Sequence, residues 1–511
     1  MGLQPAQGGP VNAAPRWSRP ACWAVLLVAL GLYAWALSGD ANEYYAAAVL
    51  SGTQSWKAWF FGALDSGSFI TVDKPPLALM VMGLSARIFG FGTWSMLLPQ
   101  ALAGVASVAL VHSAVRRNLS GFFTVRQAHV AALVAAVVMT LTPITVAINR
   151  DNNPDPLLVL LLVLAAWFCL ESLRNGRLRS LLLSALFVGL AFNTKMLQAY
   201  LVVPAFGLAY LVCARHPFLR RVVHLLAAGV VLVVSSAWWM VIVDLWPASA
   251  RPYIGGSTDN TVWDLVIGYN GLGRIFGQGG GGGGFGGGAS FGGAAGAGRL
   301  FNDTMAGQIS WLLPFCALAL GFAVVSRFLG RGPGPWASWL VWGGWLVVHF
   351  VVFSFSSGTF HPYYTTAMAP AVAAVTGIGG VLMWRAYRES RAWAWVLPVG
   401  VAVTGGWAFA VLRRTPAFVP WLAWAVLGAT AAAVLGLVVA RLGRGVAVRV
   451  AAGALTATVF AGLAGPAAYA MTPLSSQVNG TNPTAGPSNG RMGGFGGPGN
   501  PGDPGGSGNP G

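Results

Sequence analysis

The charges of this chain are sorted along a string of apolar runs, and that sorting limits the fold more than any other feature. Take Arg16 and Arg19 as cytoplasmic. Alternate connections between the apolar runs then carry Arg116, Arg117 and Arg126; Arg174, Arg177 and Arg179; and Arg215, Arg220 and Arg221. The series continues with Arg327 and Arg331; Arg385, Arg388 and Arg391; and Arg441, Arg444 and Arg449. On this count 19 of the 30 basic residues share one side with only Glu171 and Glu389 among the 13 acids. The opposite side holds 11 bases and 11 acids. Short Arg-rich loops on the cytoplasmic side orient multi-pass membrane proteins. The pattern therefore predicts an all-α polytopic membrane protein whose acids are displayed on the outer, extracytoplasmic face.

Composition agrees. The chain is 56% hydrophobic and 8% charged, against about 25% charged in soluble domains. A transmembrane helix needs roughly 20 apolar residues, and a dozen or more runs approach that length. The net charge of +17 does not point to nucleic acid. The arginines form short clusters beside apolar runs, with no continuous basic face and no aromatic RNA-binding motif. Topology and anionic lipid headgroups account for them. Cys22, Cys169, Cys213 and Cys316 lie in or beside apolar runs without CxxC spacing, which argues against disulfides or a cysteine zinc site. The first run, from Ala21 to Leu37, has no small-residue cleavage site ahead of a soluble domain and reads as a retained helix.

The spans fall near 21–38, 94–115, 128–148, 156–173, 180–194, 196–214, 222–243, 306–326, 336–356, 363–384, 392–412, 418–440 and 450–470. That is about 13 crossings, with residues 1–20 as an inner tail and the C-terminus outside. Residues 39–93 form a long outer loop, in which the short apolar piece 76–90 reads as a helix lying in the interface; were it to span, the later Arg clusters would land outside. A tight turn at Asn193-Thr194-Lys195 separates two of the spans. A second outer loop covers 244–305. Within it 277–298 is nearly all Gly, and the tail 471–511 is rich in Gly, Pro, Asn and Ser. Both compositions predict disorder. The Gly-rich stretch has no Lys-Ser/Thr ending and follows no strand, so it is not a phosphate loop.

The polar constellations all fall on the outer face. Asp40-Ala41-Asn42-Glu43-Tyr44-Tyr45 places two carboxylates beside paired tyrosines; a carboxylate there can serve as general base on a hydroxyl or hold a divalent cation. The plain alternative is a solvated loop with belt tyrosines. Asp73-Lys74-Pro75-Pro76 presents one of only three lysines, against 27 arginines. A lysine at the membrane surface can pair with a lipid phosphate or simply snorkel. Asn149-Arg150-Asp151-Asn152-Asn153-Pro154-Asp155 crowds charge at a membrane edge, although Asp155 can also act as a cap at a helix start. His361, in Phe360-His361-Pro362-Tyr363-Tyr364, can donate to a phosphate or titrate. Walker motifs are missing, which disfavours ATP-driven pumping, and the spans carry few of the intramembrane charges that ion-coupled transporters use. A flippase or transporter of lipid or sugar-lipid remains the alternative class, and would show polar residues along the middle of several spans.

The ordered set Tyr44-Tyr45-Ala46-Ala47, Asp73-Lys74-Pro75-Pro76-Leu77, Asn153-Pro154-Asp155, Thr194-Lys195 and His361-Pro362-Tyr363-Tyr364 resembles glycosyltransferase family 39. That family holds the protein O-mannosyltransferases and the aminoarabinose transferase of lipid A, and the chain looks most similar to its actinobacterial mannosyltransferase branch. The resemblance covers roughly residues 20–470. It implies a GT-C fold and transfer of a sugar, mannose or another hexose, from a polyprenyl phosphate carrier to an acceptor protein, lipid or glycan outside the membrane. It implies a base in the first outer loop, a second Asp opening a later span, and basic groups at the lipid phosphate. Asp155 takes the second role, and Lys74, Lys195 or Arg150 the phosphate, with His361 or Tyr364 assisting and Asn42, Tyr45 and Asp73 lining the substrate. The family usually shows Asp-Glu before the tyrosines. This chain has Ala41-Asn42 there, flanked by Asp40 and Glu43, so either carboxylate can be the base, Glu43 slightly ahead. No cofactor beyond the lipid-linked donor is implied, and a divalent cation is compatible with the carboxylates.

Overall fold

The computed structural model describes residues 14–37, 41–273, 290–329, 334–442, 447–476 and 478–487. Its regular structure is helical, and the only strand-like pairings among these residues are isolated bridges. Nine described stretches are long and apolar enough to cross a membrane, ten if the bent pair Val125–Leu141 and Pro143–Asn149 counts as one span. A chain in hydrocarbon must satisfy its own backbone, and helices do so within one segment.

The first helices are α1 (Ser18–Ala34), α2 (Glu43–Gln54), α3 (Trp56–Phe61), α4 (Leu77–Phe89) and α5 (Thr93–Leu119). They are followed by α6 (Val125–Leu141), α7 (Pro143–Asn149), α8 (Asp155–Asn175), α9 (Leu178–Lys195), α10 (Val203–Cys213) and α11 (Phe218–Leu245). The second half holds α12 (Leu313–Phe328), α13 (Gly344–Phe355), α14 (Ala369–Glu389), α15 (Val396–Leu412), α16 (Leu422–Leu442) and α17 (Ala447–Ser475). Helices α5, α6, α8 and α14 pack together at the centre, α9 packs on α8 and α11 on α9, and α15, α16 and α17 pack on one another. Close crossings are made by small residues. A Cβ on Gly189 of α9 would stand 1.9 Å from Ser235 Oγ of α11, and one on Gly405 of α15 would stand 2.0 Å from Thr430 Oγ1 of α16. Small residues at helix crossings are how membrane helices approach without a hydrophobic driving force.

The arginine-bearing helix ends meet one another. Arg117 reaches Glu171 at 3.2 Å and Arg174 reaches it at 2.5 Å. Arg385 donates to Phe122 O at 3.5 Å, and Arg441 donates to Arg388 O at 3.2 Å. The apolar stretch Leu178–Cys213 is 36 residues long, some 54 Å if straight and nearly twice a bilayer core of roughly 30 Å. It folds back instead. Lys195 lies against the start of α8, Phe206 against Cys169, and His216 pairs with Gly176 O at 2.9 Å just past the end of α8. The reversal falls at Met196, where φ is +46°, next to the turn expected at Asn193-Thr194-Lys195.

At the opposite end of the bundle the two long loops are fastened together. Thr71 N–H donates to Tyr253 O at 2.9 Å, Tyr253 N–H donates to Phe69 O at 2.8 Å, and Gly255 N–H donates to Thr71 Oγ1 at 2.9 Å. Helix α4, the piece expected in the interface, packs on α2 and α5 while Leu84, Ile88 and Phe89 stay exposed.

Parts of the two low-complexity segments take a defined course. Of the Gly-rich 277–298, residues 290–298 are ordered: Gly292 N–H donates to Phe360 O at 3.1 Å and Gly296 N–H donates to Ser354 O at 2.7 Å. Residues 274–289 lie outside the described part. In the expected tail 471–511, α17 runs to Ser475, and 478–487 lies against the bundle. In both places the bundle offers hydrogen-bond partners to main-chain groups, which composition alone does not show. Residues 488–511 lie outside the described part.

Candidate active site

The centre of the site is an ion pair that joins two helices. Asp155 is the first residue of α8 and Lys195 the last of α9. Lys195 Nζ lies 2.7 Å from both Asp155 carboxylate oxygens. The pair is buried, with side-chain exposures of 5% for the lysine and 0% for the aspartate. The lysine also sits over two rings, 3.9 Å from the Tyr364 centroid and 4.8 Å from that of Tyr363. An ammonium over aromatic faces gains electrostatic attraction without a counter-charge. The two tyrosines are buried in the helical turn Pro362–Met368, ahead of α14. A buried charge pair is retained in hydrocarbon only with such partners.

Lys74 supplies a second cation. Its Nζ is 2.7 Å from Asp73 Oδ2, lies 5.6 Å from the Tyr269 centroid, and is near enough to act electrostatically on Asp155. The loop carrying it is pinned: Asp73 N–H donates to Tyr44 OH at 3.0 Å, and Asn270 Nδ2 donates to Asp73 O at 2.8 Å. Burial pushes the Tyr45 hydroxyl well above its usual pKa, and the charges of Asp73, Tyr364 and Asp155 add to the shift. Tyr44 rises too, through burial and then Asp73. Both phenols therefore stay neutral donors at the edge of a charged pocket.

Asn42 joins the first outer loop to the loop before α8. Its N–H donates to Asn152 Oδ1 at 2.8 Å, and Asn152 Nδ2 donates back to Asn42 O at 2.9 Å. Its own Oδ1 caps α2 by accepting from Tyr45 N–H at 3.3 Å, the usual service of an N-cap asparagine. Next to it Asp151 is buried, and Asn153 Nδ2 donates to its Oδ2 at 2.6 Å. Burial, with Asp155 adding to it, pushes the Asp151 carboxyl up to about 7.

The structure thus brings Asn42, Tyr45, Asp73, Lys74, Asp155, Lys195 and Tyr364 together. His361 stands at the rim, its ring stacked on Phe291 at 4.7 Å and 5.4 Å from Tyr364. Glu43 is exposed in the first turn of α2, and Asp40 lies outside the described residues. Arg150, expected at the phosphate, has partners of another kind. Its guanidinium donates to Leu32 O at 3.1 Å, Trp35 O at 2.8 Å and Ala36 O at 3.4 Å, capping the carbonyls at the end of α1. A cation serves well at a helix C-terminus. Sequence reading named Asp151 and Asn152 in this connection but gave neither a place among the site residues. Among the described residues no three His, Cys, Asp or Glu side chains converge as a metal cluster.

Residues 73–240 match the family described as "Dolichyl-phosphate-mannose-protein mannosyltransferase", which spans the Lys74, Asp155 and Lys195 elements. Two curated Bacillus subtilis (strain 168) proteins are similar. Putative mannosyltransferase YycA is 35% identical over 71% of this chain and 63% of its own length. Putative mannosyltransferase YkcB is 34% identical over 73% of this chain and 63% of its own. The chain thus spans less than two thirds of either relative. Among solved structures, ArnT from Cupriavidus metallidurans bound to undecaprenyl phosphate superposes with a TM-score of 0.53 at 20% identity, covering 90% of this chain and 78% of that one. The likeness shows that the bundle is GT-C-like. The matched segment, the two relatives and the fold make this chain a multi-pass, GT-C-like membrane protein that is similar to the glycosyltransferase 39-like mannosyltransferases.

Proposed function

We propose that this chain is a membrane-embedded glycosyltransferase that takes a sugar, mannose or another hexose, from a polyprenyl phosphate and passes it to an acceptor hydroxyl on the extracytoplasmic face. The observation that carries this reading is the clustering of two of the chain's three lysines, Lys74 and Lys195, around Asp155. Lysines bind phosphate as compact point charges, and 19 of the 27 arginines belong to the other side of the charge count. The family match and the undecaprenyl phosphate seen in the ArnT structure support the donor class.

In this reading the acceptor oxygen attacks the anomeric carbon while the bond from that carbon to the phosphate oxygen breaks. The acceptor proton passes to a carboxylate of the first outer loop, Glu43 or Asp40, and polyprenyl phosphate leaves as the anion. Lys74 and Lys195 stabilise the charge that grows on the departing oxygen, and fixed cations need no reorganisation at that moment. Asp155 orients Lys195 and lowers the cost of keeping it charged in a buried place. The neutral phenols of Tyr45 and Tyr364 can donate to the phosphate or to sugar hydroxyls. One direct displacement inverts the anomeric centre. A divalent cation, if used, would be shared between these carboxylates and the donor phosphate. With Arg16 and Arg19 cytoplasmic, the site faces outward and the acceptor is a protein, lipid or glycan of the envelope.

Purified protein in nanodiscs is incubated with labelled polyprenyl-phosphate-mannose and a membrane extract. Wild type should move label to an acceptor, and Asp155→Asn and Glu43→Gln should not. Equal transfer by all three would overturn the assignment of these residues.

A further inference from the structure

The segment 478–487 bends at 480–482 as it crosses the rim of the site, and the bundle grips it mainly by its main chain. Asn42 Nδ2 donates to Gly480 O at 3.1 Å. Gln308, buried just ahead of α12, donates from Nε2 to Ala485 O at 2.7 Å and accepts at Oε1 from Ala485 N–H at 3.0 Å. Thr472 Oγ1 accepts from Gly486 N–H at 2.7 Å. Only one of these rim contacts, His361 Nδ1 with Asn482 Oδ1, goes to a side chain of the segment. One carboxamide pairing with both main-chain groups of one residue copies a neighbouring β-strand, the usual mode of sequence-tolerant peptide capture. Gly486, at φ +96°, lies flat on Tyr469, where a Cβ would stand 2.3 Å from the ring. The segment carries no charged residue.

We propose that the rim formed by Asn42, Gln308, His361, Tyr469 and Thr472 is a main-chain-reading peptide groove, occupied in cis by 478–487 and thereby closed to an uncharged peptide arriving in trans. The proposal rests on the function above in one respect: Asn42 and His361 belong to both places, so a peptide in the groove lies on the acceptor side of the transfer site. The occupant is tethered directly to the end of α17. A short tether gives a local concentration of roughly millimolar, enough to exclude a weaker competitor.

The test uses the full chain in nanodiscs and a fluorescent synthetic peptide with the sequence of residues 478–487, read by anisotropy. Gly486→Val in the protein unseats the tail, and this variant should bind the peptide about tenfold more tightly than wild type does. Adding Gln308→Ala should remove about tenfold by deleting two hydrogen bonds. A peptide with Pro in place of Ala485 should lose comparable affinity, since it lacks the N–H that Gln308 accepts. Should the valine variant fail to fold, Ala485→Pro in the protein unseats the tail by removing the N–H that Gln308 accepts. Equal binding by wild type and the tail-released protein, or undiminished binding of the proline peptide, overturns the groove. The readout uses no donor. Peptide binding without sugar transfer would count against the transferase reading alone, and transfer without peptide binding against the groove alone.

Discussion

Replacing Lys195 with Met isolates the ion pair on which the site is built. Both carboxylate oxygens of Asp155 lie 2.7 Å from Lys195 Nζ, and neither side chain is more than 5% exposed. At an effective dielectric near 20 the gross attraction at that distance is about 6 kcal/mol. Most of it offsets desolvation, so the pair itself adds little net stability, whereas breaking it leaves a carboxylate buried beside two phenols. Losses of about 3–5 kcal/mol are typical for a broken buried pair. Lys74 still acts on Asp155, which places the expected loss near the lower end, about 3 kcal/mol. The double variant Asp155→Leu with Lys195→Met removes both charges and should recover most of that stability while transferring no sugar. Thermal unfolding of the two single variants, the double and wild type in nanodiscs closes a cycle whose coupling term should be about 3–5 kcal/mol. Strict additivity, or a Lys195→Met loss below about 1 kcal/mol, would refute the reasoning.

Arg150→Met should lower thermal stability by uncapping α1 yet leave the KM for the lipid-linked donor unchanged, as kinetics of the purified variant would show. Asn42→Ala should cost about 1 kcal/mol as a lost helix cap and further stability through the broken Asn152 pairing, read by thermal unfolding. Asp151 binds its proton more tightly folded than unfolded, its carboxyl being raised to about 7. Its stabilising contribution is therefore complete below the unfolded carboxylate range and is lost as pH rises toward 7. Asp151→Asn should flatten the fall in melting temperature between about pH 4 and 7. Gly189→Val should force α9 and α11 apart at Ser235 and cost about 1–3 kcal/mol, seen as lower melting temperature and yield.

The helical class and the separation of charge between the two ends of the bundle were legible because a bilayer acts on short windows of sequence. Apolar length and flanking arginines need no tertiary information. The turn near Lys195 was legible for the same reason: the apolar run is too long for one crossing. The pairing of Asp155 with Lys195 is tertiary, since it depends on α8 and α9 packing along their length with the start of one level with the end of the other. Spacing in sequence does not report that. Arg150 and Lys74 looked alike as cations at the outer edge. Only the carbonyls at the end of α1 distinguish them, and those are exposed by where that helix stops. The seating of 478–487 was not legible, because composition measures how little apolar surface the stretch can bury. It does not register that Gln308, Asn42 and Thr472 are waiting with hydrogen bonds. Gln308 was visible as a polar residue at the start of an apolar run, but nothing in the sequence joined it to Ala485.

The most direct test of the central claim is equilibrium binding of undecaprenyl phosphate to the protein in nanodiscs, comparing wild type with Lys74→Ala and Arg150→Met. If Lys74 and Lys195 form the phosphate site, Lys74→Ala weakens binding by about tenfold or more and Arg150→Met leaves it unchanged. Unchanged binding in Lys74→Ala, or a loss confined to Arg150→Met, would contradict the account.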